Sequence, residues 1–398
     1  MKDSFRGYYQ PTSDEFKYLW DNCVFVLDAN VLLNLYRYTP NTRSEFIKIL
    51  ERISERLWIP NQVALEYQRN RLNVISQQEK AYSEVIEILD DASKSIEGKL
   101  NEYRRHPYMD VKTIIKETQK SFNSISNELE KEHNQHPDLS TVDDIRSKIT
   151  VLFEGKVGSA YLPANLASIY SEGEKRFLER IPPGYIDAKE KKDNSKYSDL
   201  VIWYQIIDKA KESKSPIIFI CDDAKEDWWW IFSGKVRGPR PELIEEFIAR
   251  TKMNFYIYSS DRFMEFAKDH FNEGVGKNSI TEIKNIRQDE QDKRERNAIV
   301  YQLRESDMSE IEYIKDNWKS LLEIVLPSYR KSPALAILRA TSTKPILIDG
   351  DIITLSSKYA YLKEKLEEPE NRGIAEKIFS DWLGRPIHVN IILESQLP

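Results

Sequence analysis

The chain has 398 residues, 40% hydrophobic and 31% charged, with a formal net charge of −6. At about 100 to 200 residues per domain this length excludes a lone small module and predicts two or three domains, and 8 Trp, 21 Tyr and 15 Phe exclude a disordered composition. The negative balance means that any nucleic-acid partner must be held by a local basic surface.

Two cysteines, Cys23 and Cys221, supply neither a disulfide framework nor a thiolate-only zinc site. The start MKDSFRGYYQ lacks the apolar core of a signal peptide, and no stretch of about 18 residues is free of charge, so a reducing cytoplasm and no membrane span are expected.

In chain order, residues 24–27 (VFVL) read as a buried strand ending at Asp28, and residues 30–38 and 41–56 carry apolar side chains at helical spacing. Residues 57–59 resemble a second strand, and Pro60-Asn61 opens a long helix with Glu66 in its early turns. Residues 77–136 read as an inserted antiparallel helical hairpin. A helix over 162–180, the turn-rich RIPPGYIDAKEKKDNSKYSD, and a helix over 197–211 follow, then strands at 216–221 (PIIFIC) and 255–258. Strands alternating with helices predict an α/β fold with a parallel sheet covered on both faces. Residues 272–307 hold the run RQDEQDKRER and read as a charged linker or a solvated helix, with the linker preferred. Residues 308–398 read as a small α+β domain with helices over 309–326, 333–341, 359–366 and 371–382, a hairpin turning at 349–351, and a strand over 387–393.

In open parallel sheets the functional crevice lies at the carboxyl ends of the strands. Two strands end there in acid, one giving Asp28, the other Asp222 and Asp223 with Asp227 a turn further on; Glu66 and Asp199 on helices can complete the cluster. Such crowding is relieved by a hard divalent cation with oxygen ligands. The alternative reading makes each acid a helix cap or first-turn residue. Lys175, Arg176, Arg180, Lys189, Lys191, Lys192 and Lys196 are candidate phosphate contacts, although residues 172–196 also carry enough acids to pair internally. Trp228, Trp229 and Trp230 could stack on bases, but aromatics just after a buried strand mostly pack into the core. The five histidines show no zinc spacing, and no phosphate-cradling glycine loop is present.

The series LDANVLLNLY, EYQRNR, YSDLVIW and CDDAKEDWWW, with RIPPGYIDAKEK, resembles the PIN-domain nucleases, in particular a bacterial PIN-like subgroup with a helical insertion, over about residues 1–271. The resemblance implies a three-layer core and Mg2+ or Mn2+ held by Asp28, Glu66, Asp199 and Asp223, with Asp222 or Asp227 auxiliary and Asn30 orienting Asp28 or a metal-bound water. Cys221 departs from the Thr or Ser usual before the last acids. IKDNWKSLLEIV, ALAILRAT, PILIDGDIITL and IAEKIFSDWLGRPIHVNIIL resemble the collar domain of the bacterial clamp-loader gamma/tau subunit, implying oligomerisation or docking to a partner subunit. The implied function is a metal-dependent endonuclease, with RNA ahead of DNA, in a toxin or antiphage setting. The competing expectation is a noncatalytic nucleic-acid- or protein-binding scaffold; an aspartyl phosphatase is disfavoured because Asn30 stands where its second acid belongs.

Overall fold

A computed structural model describes the chain except residues 3–4, 136–138, 140, 188–192, 224, 234, 306–309, 324, 326–328 and 397–398, and except the side chains of residues 135, 293–305 and 396. Two units result, Met1–Tyr185 with Tyr197–Lys284, and Ile186–Lys196 with Asn285–Pro398.

Helix α1 (Ser13–Asn22) opens with a capping box in which the Thr12 hydroxyl accepts from the Glu15 amide and the Glu15 carboxylate from the Thr12 amide. Strand β1 (Val24–Leu27), α2 (Ala29–Asn34), α3 (Pro40–Arg52) and β2 (Leu57–Trp58) follow. Helix α4 (Asn61–Asn101) and α5 (Val111–Gln135) form the expected antiparallel hairpin; the buried residues of α4 end at Ile75, and beyond it Glu97 accepts from Gln119 across the pair. The hairpin's root is tied by a network in which Arg71 and Tyr36 both donate to Asp143, the N-cap of α6 (Asp144–Phe153). Then come α7 (Pro163–Leu178), α8 (Ser198–Ser213), β3 (Ile217–Ile220), an antiparallel ribbon of β4 (Trp229–Phe232) and β5 (Lys235–Pro239), α9 (Pro241–Thr251), β6 (Phe255–Tyr258) and α10 (Ser260–Phe271).

The main sheet has the order β2-β1-β3-β6 and is parallel throughout. Its register aligns Phe25 with Ile218 and Tyr256 on one face, and Val26 with Phe219 and Ile257 on the other. The first face receives Trp20 of α1 and Phe263 of α10, the second Trp203 of α8, Phe247 of α9 and Trp228. Both faces are covered, which is why these strands are runs of β-branched and aromatic residues without polar alternation. Trp228 and Trp229 are buried, in line with the packing alternative for two of the three tryptophans.

Arg176 corrects one expectation. Its guanidinium is buried, donates to both Glu246 oxygens at 2.8 Å, and also donates to the Pro182 carbonyl and the Tyr204 hydroxyl, so it is committed inside the fold and not presented to phosphate. Burial alone would raise the Glu246 pKa, but Arg176, the Trp203 indole and Arg250 outweigh it and hold the carboxyl below its ordinary value.

Residues 277–305 form a helix, α11 (Lys277–Glu305), the second of the two readings its composition allowed; its residues to Lys284 belong to the first unit and those from Asn285 to the second. Helices α12 (Glu310–Glu323) and α13 (Pro333–Arg339), strands β7 (Thr343–Asp349) and β8 (Ile352–Ser357), α14 (Ala360–Glu367), α15 (Pro369–Leu383) and β9 (His388–Leu393) complete an α+β unit. β8 pairs antiparallel with β7 and parallel with β9, and the core gathers Leu321, Leu335, Ile353, Leu355, Phe379 and Trp382, with Trp318 against the last two. Among the described residues no helix is long and apolar enough to cross a membrane.

Replacing Arg176 with Met leaves Glu246 buried without its bidentate partner. The expected loss is about 3 kcal/mol in urea unfolding at neutral pH. Because Glu246 is more acidic folded than unfolded, its contribution is present above its unfolded pKa and lost as pH falls through the lowered folded value. The wild-type advantage over Arg176→Met should therefore shrink in acid.

Candidate active site

Asp28 follows β1 and stands at the N-cap position of α2, yet its side chain makes no capping hydrogen bond, so capping does not account for it. Its Oδ2 accepts from Asn30 Nδ2 at 2.9 Å, and its backbone amide donates to the carbonyl of Ile220, the last residue of β3. Asp199 lies in the first turn of α8 and Asp223 just beyond β3. The Lys225 ammonium stands 3.0 Å from Asp223 Oδ2 and 3.9 Å from Asp199 Oδ2. Burial pushes the Cys221 thiol well above its ordinary value, and the negative charges of Asp28, Asp223 and Asp199 push the same way. Glu66, on α4, accepts from Gln62 Nε2 at 2.8 Å, and the same amide donates to Ser198 Oγ at 3.2 Å, which ties the second acidic motif to the residue before Asp199.

The two auxiliary candidates are engaged differently. Asp222 is buried; Oδ1 accepts from the Ser260 amide, and Oδ2 from the Ser260 hydroxyl and Asn34 Nδ2, at 2.8 to 3.0 Å. Asp227 is fully buried, and its Oδ2 accepts from the Gly184 amide at 2.9 Å. Both act on the backbone that frames the acids. Gly184 belongs to RIPPGY, where Pro182-Pro183 is cis, and the segment is further held by Tyr185, whose hydroxyl meets Glu226 and Arg240. At φ +94° Gly184 adopts a conformation that disfavours L side chains, and a Cβ there would meet Asp199 Cβ at 3.3 Å.

The family described as PIN like domain matches residues 24–243, from the start of β1 into α9 and over all four acidic motifs. The chain belongs to this family. No curated protein and no solved structure matches the chain significantly. The PIN-like domain has a nuclease-type fold, and the parallel sheet with helices on both faces is the α/β core that fold requires.

Among the described residues no three His, Cys, Asp or Glu side chains approach closely enough to enclose a metal ion. The donor set of this PIN-like site still suits a hard divalent cation, because every donor is a carboxylate oxygen and Asp199 and Asp223 already converge on a cationic group, the Lys225 ammonium. Of the basic candidates, Lys175 and Arg180 are exposed on and just after α7, Lys196 belongs to the other unit, and Lys189, Lys191 and Lys192 lie outside the described residues, as does His136. Residues that the sequence reading did not single out include Lys225, Gln62, Ser198, Asn34 and Ser260. Only Lys225 carried a signal, as the lone base within CDDAKED.

Asp222→Ala removes the acceptor for three buried donors, the Ser260 amide and hydroxyl and the Asn34 side-chain amide, and should cost about 2 to 4 kcal/mol in chemical unfolding. A stability equal to wild type would show that Asp222 does not anchor the start of α10.

Proposed function

We propose that this PIN-like protein is a Mg2+- or Mn2+-dependent endonuclease acting on phosphodiester bonds, with RNA as its substrate class ahead of DNA. The observation that carries the reading is the approach of Asp199 and Asp223, from the third and fourth acidic motifs, to the Lys225 ammonium beside the end of β3, where the Asp28 amide is also anchored to the Ile220 carbonyl. In this reading Asp28, Glu66, Asp199 and Asp223 hold the cation through their carboxylate oxygens. When bound, the divalent ion supplies an acidified water and neutralises charge on the phosphate. The chain's own groups fix the arrangement: Asn30 holds Asp28, Gln62 holds Glu66, and Asp222 and Asp227 hold the backbone on either side.

The nuclease domain is assigned to residues 1–271 and an assembly domain to 308–398, with the collar-like pattern of the latter supporting self-association or docking to a partner subunit. A toxin or antiphage role in the cytoplasm suits a nuclease joined to such a domain. A second reading, a noncatalytic nucleic-acid- or protein-binding scaffold, draws on Lys225, which neutralises the two carboxylates that a metal would need.

Purified protein incubated with labelled RNA, single-stranded DNA and duplex DNA separates the two. The nuclease reading expects RNA cleavage with Mg2+ or Mn2+, none in EDTA, and none by an Asp28→Asn protein whose circular dichroism and melting match wild type. Cleavage in EDTA, or wild-type rates from folded Asp28→Asn, would overturn the metal mechanism. Light scattering decides assembly, since a monomer at micromolar concentration excludes self-association.

A further inference from the structure

The β4–β5 ribbon directly after the last acidic motif is buried only at its base, at Trp229 and Pro239, and runs outward from there. Phe232 is 59% exposed on one face of the two-stranded ribbon, and Ile231 at 43% and Val236 at 57% lie opposite each other on the other face. Residues 228–240 (WWWIFSGKVRGPR) contain no acid, in a chain whose net charge is −6. Arg240 is paired with Glu242, but Lys235 and Arg237 are exposed and, among the described residues, no carboxylate pairs with either. Exposed apolar groups combined with unopposed positive charge define the surface.

The rings are ordered. The register passes from Trp230 opposite Gly238 to Ile231 opposite Val236, so the extra residue, Arg237, lies on β5 and β4 alternates regularly. Trp230 and Phe232 therefore share a face and stand about 6.7 Å apart along the strand, twice the ~3.4 Å rise of stacked nucleotides. Trp230 is half-buried and meets Tyr8 edge-on at 5.7 Å, and the Arg237 guanidinium stands over one face of the exposed Phe232 ring, 6.0 Å from its centroid, so the other face of Phe232 is the more open one. Gln10 Nε2 donates to the Arg237 carbonyl at 2.7 Å, and Gly7 sits so close to Pro241 that no Cβ fits, which fixes the segment carrying Tyr8. The ribbon is rooted at the acids: the Trp229 indole donates to the Asp223 carbonyl, and Arg240 to the Glu226 carbonyl. About 10 Å of strand separates Trp229 from Phe232, roughly three nucleotides of stacked chain.

We propose that the β4–β5 ribbon is a binding platform for an unpaired nucleic-acid strand, with Trp230 and Phe232 offering faces to bases and Lys235 and Arg237 contacting phosphates. Stacking tolerates any base, whereas a duplex keeps its base faces inside, so the surface selects single strands. The inference rests on the nuclease reading for its biological sense and refines the substrate class to unpaired RNA or DNA.

The test is fluorescence anisotropy in EDTA with the full chain and a labelled 12-nucleotide RNA, the same DNA strand, and a blunt RNA duplex. Phe232→Ala should weaken single-strand binding roughly 5- to 100-fold, leave duplex binding nearly unchanged, and be rescued by Phe232→Trp. A Lys235→Gln/Arg237→Gln protein should bind all probes more weakly and flatten the single-strand salt slope by about 1.4. Comparing the RNA and DNA strands shows which the platform prefers. Wild-type affinity and slope in both variants, or no single-strand binding by wild type, would overturn the proposal. Because binding is read without metal, a protein that binds through the ribbon yet cuts nothing with Mg2+ or Mn2+ overturns only the nuclease reading. One that cuts while Phe232→Ala binds unchanged overturns only this inference.

Discussion

The contact between Lys225 and the carboxylates of Asp223 and Asp199 governs the electrostatics at the end of β3. Asp28 flanks the same strand end, its backbone amide donating to the Ile220 carbonyl and its carboxylate accepting from Asn30. Lys225 lies two residues after Asp223 in the chain, so the charge that meets Asp223 is encoded within the same motif.

Neighbouring acids in one motif do opposite work. Asp222 and Asp223 follow the extended β3, where successive side chains face opposite ways. Asp222 turns inward to Asn34 and Ser260 and fixes where α10 begins, while Asp223 turns to Lys225. Asp227 lies on the far side of the turn and holds Gly184, whose position against Asp199 leaves no slack for a side chain. The backbone around the acids is therefore held by other acids, and a rigid frame keeps charged groups close that would otherwise separate.

The sheet was legible because full burial writes itself into composition. The expected strands at 24–27 and 255–258 are β1 and β6 residue for residue, and β3 is one residue shorter at each end than expected. Helices α1, α9 and α10 were not among the expected elements although each is amphipathic: Leu243 and Phe247 of α9 stand four residues apart on its buried side, and Phe263, Met264 and Ala267 of α10 keep helical spacing. The ribbon escaped because its aromatic run continues the composition of the core, and a bulge breaks the cross-strand pattern that marks a hairpin. Arg176 was misjudged for a different reason: composition counts charges but does not say which are paired inside, and the Glu246 that meets it lies 70 residues away. The stretch 277–305 has almost no apolar periodicity, so nothing in its sequence separated a solvated helix from a linker. Among the site acids, position at a strand end was readable for Asp28 and Asp223, but the hydrogen bonds that separate Asp222 from Asp223 were not.

A cleft built from carboxylates attracts cations and repels phosphates, so it cannot also be the source of affinity for a polyanion. Affinity has to come from groups outside the acid cluster yet fixed relative to it. The β4–β5 ribbon meets both conditions: its charge is positive where the chain as a whole is negative, and its base is hydrogen-bonded to the carbonyl of Asp223. Stacking on Trp230 and Phe232 adds attraction that salt does not screen, because it acts between neutral rings and bases, while the Lys235 and Arg237 contribution weakens as salt rises. A strand held by rings retains its register when ionic strength changes, whereas one held by lysines alone would slide. In the proposed platform the aromatic and basic residues of the ribbon are complementary, with charge drawing a strand towards the acids and the rings fixing how it lies there.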